Sequence, residues 1–399
     1  MMNDVILVIN AGSSSIKFSL FHVERLTLIF YGEIELGEGL SYSKTESLFT
    51  KTRFSAFNDK HDIILQKDLE ENGYEAGLTF LFTWFETFQK QYVLKAVGHR
   101  IVHGGTEFLN PVRIDNAITT KLTKLIPLAP LHQPHNLEAI KIIAEKYPKM
   151  AQVGCFDTAF HGTQSRLAKL FAIPRKLTEE GMIRYGFHGL SYEYIASVLP
   201  DKVNVKKHTK IIVAHLGNGS SMCALYELKS VATSMGFTAL DGLMMGSRCG
   251  AIDPGVILYL LQEKKMTAEQ INHLLYNESG LLGVSGISGD VRDLLASTEA
   301  TAKEAIDLFC YRAAREIGAL CVALNGCDAI VFTAGIGEHA PVIRQKISEW
   351  LDWMGVQLDE VSNHRSDAVI SQSSSKVTVA VIPTNEEYMI AKHTLSLVV

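Results

Sequence analysis

Residues Val5 to Phe18 read VILVINAGSSSIKF, and a weaker version, KIIVAHLGNGSSMCA, occupies residues 210–224. In each, an apolar run typical of a β-strand enters a turn of small residues and leaves in a second alternating run. Because few side chains block such a turn, backbone N–H groups and serine hydroxyls can surround an anion there. Aligning Ser14 with Ser220 gives an offset of 220 − 14 = 206 residues, about half the chain. The repeat predicts a duplicated fold in which two anion-binding hairpins grip one polyphosphate.

The composition is that of a globular protein. The 399 residues are enough for two domains, and 47% of them are hydrophobic and 20% charged. The net charge of −5 argues against nucleic-acid binding, and the basic cluster at 202–210 is interpreted as a solvated loop. No apolar run reaches the roughly 18 residues of a membrane span. Six cysteines without a CxxC pair and a strand that begins almost at the N-terminus favour a reduced, cytoplasmic protein without a signal peptide.

The pattern of elements predicts an α/β architecture. In the first half we expect hairpin strands to about Glu35, an irregular polar stretch from Gly37 to Gln66, a helix over 74–92, a strand at 96–102, helices near 116–125 and 134–147, and a strand at 151–156. In the second half we expect strands at 209–216, 329–333 and 377–382, helices capped at Asp253 and Thr267, a long helix over 299–325, and a final helix from about Asn385. We place one domain at 1–152, completed by 385–399, and the second at 153–384.

Three glycine-rich segments each follow a predicted strand, namely Gly12–Ser15, Gly217–Ser221 and Gly335–Gly337. One of them alone would be interpreted as a tight turn. Three together favour a nucleotide or another polyphosphate. None fits GxxxxGK[ST] or a well-placed GxGxxG, so neither a P-loop nor a dinucleotide fold is indicated.

Two arginines lie between glycines, Arg100 in GHRIVHGG and Arg248 in MMGSRCG. A guanidinium fork binds carboxylate or phosphate oxygens in a bidentate manner. Either arginine could instead form a structural ion pair.

Histidines lie in similar segments, His132 in LAPLHQP and His188 in YGFHG. Hydrogen bonding to phosphoryl oxygens is the favoured role for them. A zinc site built from His99 and His103, or from His132 and His135, is disfavoured because no Cys or carboxylate lies at zinc spacing.

Two carboxylates follow predicted strands, Asp157 in CFDTAFH and Glu386 in PTNEE. Ligands bind in α/β folds outside the carboxyl ends of strands, and phosphate-bound Mg²⁺ usually takes one or two carboxylates. Glu386 could also complement the N-terminus of the last helix, and the two roles are compatible.

Together these motifs resemble those of the acetate kinase family of short-chain carboxylate kinases. The resemblance runs from the first strand to the last helix through residues 8–17, 98–105, 128–132, 156–161, 185–189, 215–221, 242–250, 285–292, 332–338 and 383–390. It implies a duplicated actin-like fold of the ribonuclease-H-like type, shared with sugar kinases and heat-shock ATPases, with two domains around a nucleotide cleft. It also implies a homodimer, Mg²⁺ with Mn²⁺ as an alternative, and the reversible conversion of acetate and ATP to acetyl phosphate and ADP.

The resemblance also implies roles by position. The implied catalytic residues are Arg100, Asp157, His188 and Arg248. Those implied to bind the acid are Arg100, Val102, Leu131, His132 and Phe187. Those implied to contact the nucleotide are Lys17, His215, Gly217, Asn218, Gly219, Asp290, Val291, Arg292, Gly335, Ile336 and Gly337. Asn10 and Glu386 are the implied magnesium residues.

The chemistry agrees with these roles. A carboxylate substrate is already ionised, so its attack needs alignment and charge cancellation rather than a general base. We expect direct in-line transfer, with Arg100 holding the acid and with Arg248 and His188 stabilising the phosphoryl group. Asp157 would orient an arginine or the water shell of the metal.

Four positions depart from the family pattern. Ala239 replaces a proline at a wall of the acid pocket, which could admit propionate, and Ala251 replaces an aspartate expected near Arg248. Gln133 and His339 replace asparagines, and His339 could alter adenine or ribose contacts. The alternatives to an acetate kinase are a propionate preference, an actin-like ATPase that works by changing shape, and a phosphate-releasing hydrolase of the same fold.

Overall fold

The computed structural model describes residues 3–12, 15–37, 51–203, 206 and 208–398. Three sequence features extend beyond these residues. Ser13 and Ser14 of the first glycine-rich turn, residues 38–50 of the polar stretch, and residues 204, 205 and 207 of the basic cluster lie outside the described part. No helix in the described part is long and apolar enough to span a membrane.

The described residues form thirteen strands and fifteen α-helices. The strands are β1 Asn3–Ala11, β2 Ser15–His22, β3 Leu28–Glu35, β4 Arg53–Asn58, β5 Ile63–Asp68, β6 Tyr92–Ile101, β7 Val112–Arg113, β8 Ala151–Phe156, β9 Lys210–Leu216, β10 Ser220–Tyr226, β11 Lys229–Thr233, β12 Ala329–Thr333 and β13 Thr378–Val381. The helices are α1 Tyr74–Glu86, α2 Asn116–Thr123, α3 Gln133–Lys146, α4 Arg166–Lys169, α5 Arg175–Glu179, α6 Gly189–Lys202, α7 Pro254–Gln262, α8 Ala268–Asn277, α9 Gly280–Ser285, α10 Val291–Ala296, α11 Ala300–Leu324, α12 Ala334–His339, α13 Pro341–Glu349, α14 Glu360–Arg365 and α15 Glu386–Val398.

The chain divides into two compact units, Met1–Ala159 with Asn385–Val399, and Phe160–Thr384. The division falls after Ala159 rather than after residue 152. The reason is that β8 pairs in parallel with β6, from Ala96 opposite Ala151 to Ile101 opposite Phe156. Strand β8 therefore belongs to the sheet of the first unit.

The first unit contains a sheet of order β5-β4-β3-β2-β1-β6-β8-β7. Strands β1 and β2 form the antiparallel hairpin expected from the opening motif, with Asn10 opposite Lys17. The stretch from Gly37 to Gln66 was expected to be irregular, but it contains β4 and most of β5. Phe54 and Ala56 of β4 alternate into the core, whereas Ile63 and Ile64 of β5 stay exposed, so β5 lacks an apolar period of two.

One predicted helix and one glycine-rich segment differ from the expectation. The helix predicted over 74–92 ends at Glu86, and Tyr92 already begins β6. The glycine-rich segment Gly335–Gly337 is not an open turn, because it lies within α12 directly after β12. The predicted caps agree with the structure, since Asp253 accepts from Gly255 N–H and Thr267 forms a capping box with Gln270.

The second unit repeats the core of the first sheet. Its order is β11-β10-β9-β12-β13, which corresponds to β3-β2-β1-β6-β8 in the first unit. Both sets combine an antiparallel three-strand meander with two parallel strands. The same order and the same directions in both units are the duplication predicted from the two hairpins, and they give the actin-like fold class.

Alternate residues of β9 face two cores, so the second sheet is covered on both faces. Ile212 and Ala214 pack in the core that contains the long helix α11, whereas Ile211 and Val213 pack with α6. In the first unit β1 likewise contributes Val5, Leu7 and Ile9 to the core that contains α1. Buried central strands of this kind place the residues that follow them at fixed positions.

Candidate active site

Four polar side chains of the first unit meet at the carboxyl ends of its central strands. Arg100 on β6 donates to Asp157, just after β8, with Nη2 to Oδ2 at 2.6 Å and Nε to both oxygens at 3.1 Å. Its Nη1 donates to Asn10 Oδ1 at 3.2 Å, and its Nε lies 3.9 Å from Glu386 Oε2 at the start of α15. The sequence motifs at 10, 100, 157 and 386 thus converge although they are far apart along the chain.

Negative charge exceeds positive charge in this group, which we call the carboxylate cluster (Asn10, Arg100, Asp157 and Glu386). Burial, together with the charges of Asp157 and Glu387, raises the pKa of Glu386 to about 7, although Arg100 and Lys17 oppose the shift. Burial alone would lower the pKa of Arg100, but the charges of Asp157 and Glu386 raise it. Two carboxylates and an amide oxygen around one arginine are a donor set that suits a hard divalent cation.

The segment after β6 is held by two buried amides at the start of α3. Asn136 accepts from Val102 N–H at 3.0 Å and donates to Ala11 O at 2.8 Å, so it ties the ends of β1 and β6 together. Gln133 accepts from His103 N–H at 3.2 Å and donates to His103 O at 3.1 Å. Through these two hydrogen bonds the Gln133 side chain fixes the backbone of His103. The family pattern has asparagine at this position.

The residues expected to bind the acid have different environments. Val102 is buried, while Leu131 is 39% exposed just before α3. His132 is the residue before that helix and is half-buried. In the second unit, Phe187 is 2% exposed.

Two candidate histidines of the second unit, His188 and His215, form a stacked pair. The rings of His188 and His215 lie 4.2 Å apart at an interplanar angle of 17°. His188 Nδ1 is 2.8 Å from Ser221 Oγ, and His215 Nδ1 is 2.8 Å from Ser191 Oγ. His188 has a left-handed backbone with φ 58° and precedes α6, so the helix start fixes the position of its ring.

Arg248 and His188 converge on the turn between β9 and β10. A Cβ atom on Gly219 would lie 3.3 Å from His188 Nε2 and 3.7 Å from Arg248 Nη1. Arg248 Nη1 also donates to Ala239 O at 3.1 Å. Position 239, which departs from the family pattern, therefore contacts the catalytic candidate through its backbone.

The remaining nucleotide candidates surround the same turn. A Cβ on Gly217 would lie 3.7 Å from Ala334 Cβ, one on Gly246 would lie 2.1 Å from Asn218 Oδ1, and one on Gly289 would lie 2.9 Å from Gly246 O. The glycines at 217, 246 and 289 thus let four chain segments approach closely. Gly335 opens onto free space, because nothing lies within 4 Å of its Cβ position.

Segment 290–292 differs in part from the expectation. Val291 was expected to frame adenosine, and its side chain is buried in the hydrophobic core. Asp290 caps α10 by accepting from Arg292 N–H at 2.8 Å, and the exposed guanidinium of Arg292 folds back onto the same carboxylate at 2.5 Å. Hydrogen bonds from Arg292 lower the pKa of Asp290. Ile336 packs partly buried against the same core.

Two further departures lie at the surface. Ala251 is exposed, and its carbonyl accepts from Arg312 Nη2 at 2.6 Å. The side chain of His339 is 80% exposed, with Nε2 at 3.8 Å from Glu338 Oε2.

Several supporting residues have no local sequence signal. Glu338 Oε1 accepts from Ala334 N–H at 2.8 Å and from Thr384 N–H at 3.0 Å, so it joins the start of α12 to the segment that follows β13. Arg344, which is fully buried, donates to the carbonyls of Gly337 and Glu338 at 2.9 Å. Asn136, Glu338 and Arg344 act through partners that only the tertiary fold brings together.

The histidines at 99 and 103 bind other groups of the protein. His99 Nε2 is 2.8 Å from Gln152 Oε1, and burial lowers the pKa of His99 to about 4. Burial likewise lowers the pKa of His103 to about 4, and its Nδ1 accepts from Gly105 N–H at 2.9 Å. Among the residues that the structure describes, no three His, Cys, Asp or Glu side chains are grouped as a metal site. A cation at the carboxylate cluster would therefore rely on substrate phosphates and water for its remaining ligands.

The chain is similar in sequence and in structure to known proteins of one family. The profile of the acetokinase family matches residues 5–392. An acetate kinase of Rhodopseudomonas palustris strain TIE-1 is 51% identical over 399 residues, and one of Rickettsia felis is 44% identical over 394 residues, with coverage of at least 98% of each chain. Two solved structures are similar over nearly their whole length: a propionate kinase from Francisella tularensis (TM-score 0.89, 36% identity, 100% of both chains) and the acetate kinase of Porphyromonas gingivalis (TM-score 0.87, 34% identity, 99% of both chains). The chain belongs to the acetokinase family.

Proposed function

We propose that this protein transfers the γ-phosphoryl group of ATP reversibly to the carboxylate of acetate, giving acetyl phosphate and ADP. The observation that carries the proposal is the Arg100–Asp157 pair within the carboxylate cluster. Asp157 engages the Nε and Nη2 side of the guanidinium. The remaining N–H groups at the end of the fork have the spacing that binds a carboxylate in a bidentate manner.

The acid is held rather than activated. Its carboxylate is ionised at neutral pH and needs no base, so the work of the protein is alignment. Arg100 cancels its charge and is itself oriented by Asp157, whose side chain is 1% exposed. Val102, held by Asn136, offers an apolar surface to the methyl group.

Residues of the second unit are assigned to the phosphoryl group. Its charge is spread over three equatorial oxygens during transfer, and these oxygens accept hydrogen bonds. Arg248 and His188 present a guanidinium and an imidazole nitrogen beside Gly219. We assign Asn218 and Gly219 to the phosphates, and the segments around Asp290 and Gly335 to the nucleoside. His215, Gly217 and Gly337 would support these contacts, and Lys17, opposite Asn10, would contribute positive charge to the first unit's group.

A Mg²⁺ ion fits the carboxylate cluster, where Asn10 and Glu386 would hold it. When bound, it would neutralise phosphate charge. The raised pKa of Glu386 reflects a buried carboxylate that is short of positive charge, which agrees with this assignment.

The test is a hydroxamate assay that traps acyl phosphate formed from ATP, Mg²⁺ and either acetate or propionate. Arg100→Gln should lower kcat/KM by about 10²–10³, since one preorganised charged contact is worth that much. Arg53→Gln is the matched control, because Arg53 forms an exposed pair with Asp68 at 2.7 Å in the same unit. Equal activity in the two variants would make Arg100 a structural ion-pair residue.

A propionate preference is the second candidate. It is favoured by Ala239, where the family pattern has proline, and one of the similar structures is a propionate kinase. The same assay decides between the acids. ATP turnover without any acid would instead support an ATPase, and inversion at a chiral γ-phosphorus would support in-line transfer, whereas retention would require a phosphoenzyme.

We further propose a homodimer and a reducing, cytoplasmic location. Helix α7 has no buried residue, and Leu258 and Tyr259 on it are each 53% exposed, which would suit a second copy of the chain. All six cysteines are free thiols. Light scattering of the wild type and of Leu258→Glu tests the first proposal, since a monomeric wild type would refute it, and cell fractionation tests the second.

A further inference from the structure

The stacked histidines share a feature that stacking alone does not require. Each ring has a serine hydroxyl 2.8 Å from its Nδ1, Ser221 for His188 and Ser191 for His215. Ser221 lies opposite His215 in the β9–β10 ladder. Both serines are fully buried, so water does not compete for these contacts.

Each serine also meets a second hydroxyl. Ser221 Oγ forms a short contact with Tyr192 Oη, and Ser191 Oγ lies 2.8 Å from Thr384 Oγ1. A serine hydroxyl has one hydrogen to donate and two lone pairs that accept. If each serine donates to Nδ1, its lone pairs can accept from the tyrosine or threonine hydroxyl behind it. Each hydroxyl hydrogen in these two sets of contacts then has an acceptor.

The surroundings of the other ring nitrogen of His188, Nε2, indicate which group donates in the hydrogen bond between Ser221 and Nδ1. His188 Nε2 and Arg248 Nη1 converge on the space above Gly219. A guanidinium only donates, so a ligand bound beside it must accept. The same ligand can also accept a hydrogen bond from Nε2 when that nitrogen carries the hydrogen. A neutral imidazole with hydrogen on Nε2 must accept at Nδ1, which is the direction that a donating Ser221 provides.

We propose that Ser221, backed by Tyr192, fixes His188 as the tautomer with hydrogen on Nε2, and that Ser191, backed by Thr384, does the same for His215. The serines are positioning residues, because they act on the phosphoryl group only through the imidazoles. The inference rests on the proposed function in one respect, namely that an accepting phosphoryl oxygen meets Nε2.

The direct test is ¹⁵N spectroscopy of the full-length protein labelled at histidine. The His188 and His215 signals are assigned with His188→Gln and His215→Gln. We expect the wild type to show an unprotonated Nδ1 and a protonated Nε2 for both rings at pH 8. Ser221→Ala should mix the two tautomers of His188 alone, and Ser191→Ala those of His215 alone. A protonated Nδ1 in the wild-type rings would overturn the proposal.

Kinetics supply a second test. In Ser221→Ala we expect kcat to fall by about 10–100-fold, as for loss of a preorganised donor, with the KM for acetate within about twofold of the wild-type value. Ser197→Ala is the matched control, because Ser197 is an exposed serine on α6, the helix that carries Ser191 and Tyr192, and its hydroxyl bonds only to Tyr194 O at 2.7 Å among the contacts described. Unchanged kcat in Ser221→Ala would refute the role of the serine.

Two replacements of His188 separate a tautomer effect from a structural one. The amide nitrogen of glutamine can occupy the place of Nε2, whereas that of asparagine is closer to Nδ1. Asparagine is the better residue for the left-handed backbone at this position, where φ is 58°. We expect His188→Gln nevertheless to retain at least about tenfold more activity than His188→Asn, and the opposite order would overturn the proposal.

Failure of this inference is distinguishable from failure of the proposed function. The ¹⁵N spectra need no substrate, so they report the tautomers even if the wild type forms no acyl phosphate. An active wild type with hydrogen on Nδ1 would refute the proposal that the serines fix the histidine tautomers, and it would leave the kinase function intact. Thermal melting of each variant shows that the comparison is made between folded proteins.

Discussion

Arg344 is the largest fully buried side chain among the residues that the structure describes, and its replacement should weaken the second unit and its nucleotide segment together. The guanidinium donates to the carbonyls of Gly337 and Glu338 at 2.9 Å, to Asn363 Oδ1 at 2.8 Å and to Asn363 O at 2.5 Å. Arg344→Met fits the space but leaves these acceptors buried. Burial lowers the pKa of Arg344 to about 10, so the wild-type protein already carries the cost of an enclosed cation.

The expected loss follows from these two opposing effects. Gly337 O and Asn363 Oδ1 lose the donor that the structure shows for them, which costs about 1–3 kcal/mol each. Glu338 O and Asn363 O keep a donor from Ser366, so each of these lost hydrogen bonds costs about 0.5–1.5 kcal/mol, and the total is roughly 3–9 kcal/mol. Removing the enclosed cation returns about 3 kcal/mol, since the pKa lies about 2.5 below its ordinary value of 12.5. We therefore expect Arg344→Met to lower the free energy of unfolding by up to about 6 kcal/mol, with about 3 kcal/mol at the middle of the range. Because the two lost carbonyl contacts end α12, the KM for ATP should rise as well.

Urea unfolding and ATP kinetics measure the two effects. Lys346→Met is the control, because Lys346 lies on the same helix α13 but forms an exposed pair with Asp307 at 2.7 Å. Such a pair contributes about 1 kcal/mol or less. The reasoning is refuted if the two variants lose the same small free energy. A destabilised Arg344→Met with an unchanged KM for ATP would separate Arg344 from the nucleotide segment.

Three other predictions concern specificity, the α12 junction and acid stability. Ala239→Pro keeps the carbonyl that Arg248 contacts but adds a ring, so kcat/KM for propionate relative to acetate should fall by about 10–100-fold in the hydroxamate assay, and an unchanged ratio would exclude position 239 from specificity. Glu338→Ala leaves the Ala334 and Thr384 N–H groups without their acceptor and should lower the free energy of unfolding by about 2–4 kcal/mol. Glu338→Gln keeps an acceptor oxygen and should cost less than about 1 kcal/mol, so equal losses in thermal melts would contradict this role. Burial lowers the pKa of His161 to about 4 from 6.5, so the unfolded chain binds the proton first. The protein should therefore lose about 3 kcal/mol of stability as the pH falls from about 6.5 to 4. Urea midpoints should fall less over this range in His161→Gln, and an identical pH dependence would refute the assignment.

The elements predicted correctly from the sequence are those whose own residues determine them. Strands β1 and β9 are continuous apolar runs, as expected for strands buried on both faces. The capping box at Thr267 and the proline after Asp253 define helix starts with local hydrogen bonds. Asn10, Arg100 and Asp157 lie at or just after the ends of β1, β6 and β8, because the direction of a strand determines which residues leave the sheet together.

The features that could not be predicted depend on tertiary contacts. Strand β5 is exposed and pairs only with β4 at the sheet edge, so its sequence carries no burial pattern. The role of Asn136 depends on a carbonyl 125 residues away, and the Ser191–Thr384 contact joins residues 193 apart. Val291 is adjacent to two polar residues, yet α10 turns its side chain into the core. No local pattern distinguishes these outcomes from their alternatives.

The duplicated topology explains why the candidate residues fall where they do. Asn10, Arg100 and Asp157 lie at or just after the carboxyl ends of β1, β6 and β8, and His215, Thr333 and Thr384 lie at or after those of the equivalent strands β9, β12 and β13. The first set contains the charged side chains of Arg100 and Asp157, which suits the binding of a carboxylate and a cation.

The second set contains no carboxylate, and the carboxylate of Glu338, which joins its strand ends, accepts from backbone N–H groups. A set of this kind can donate hydrogen bonds to phosphoryl oxygens without adding a competing anion, provided that the imidazoles of His215 and its stacked neighbour His188 carry hydrogen on Nε2. The buried serines at 191 and 221 supply that condition. The duplication therefore accounts for the positions of the two sets, and the different side chains at equivalent strand ends account for their different chemistry.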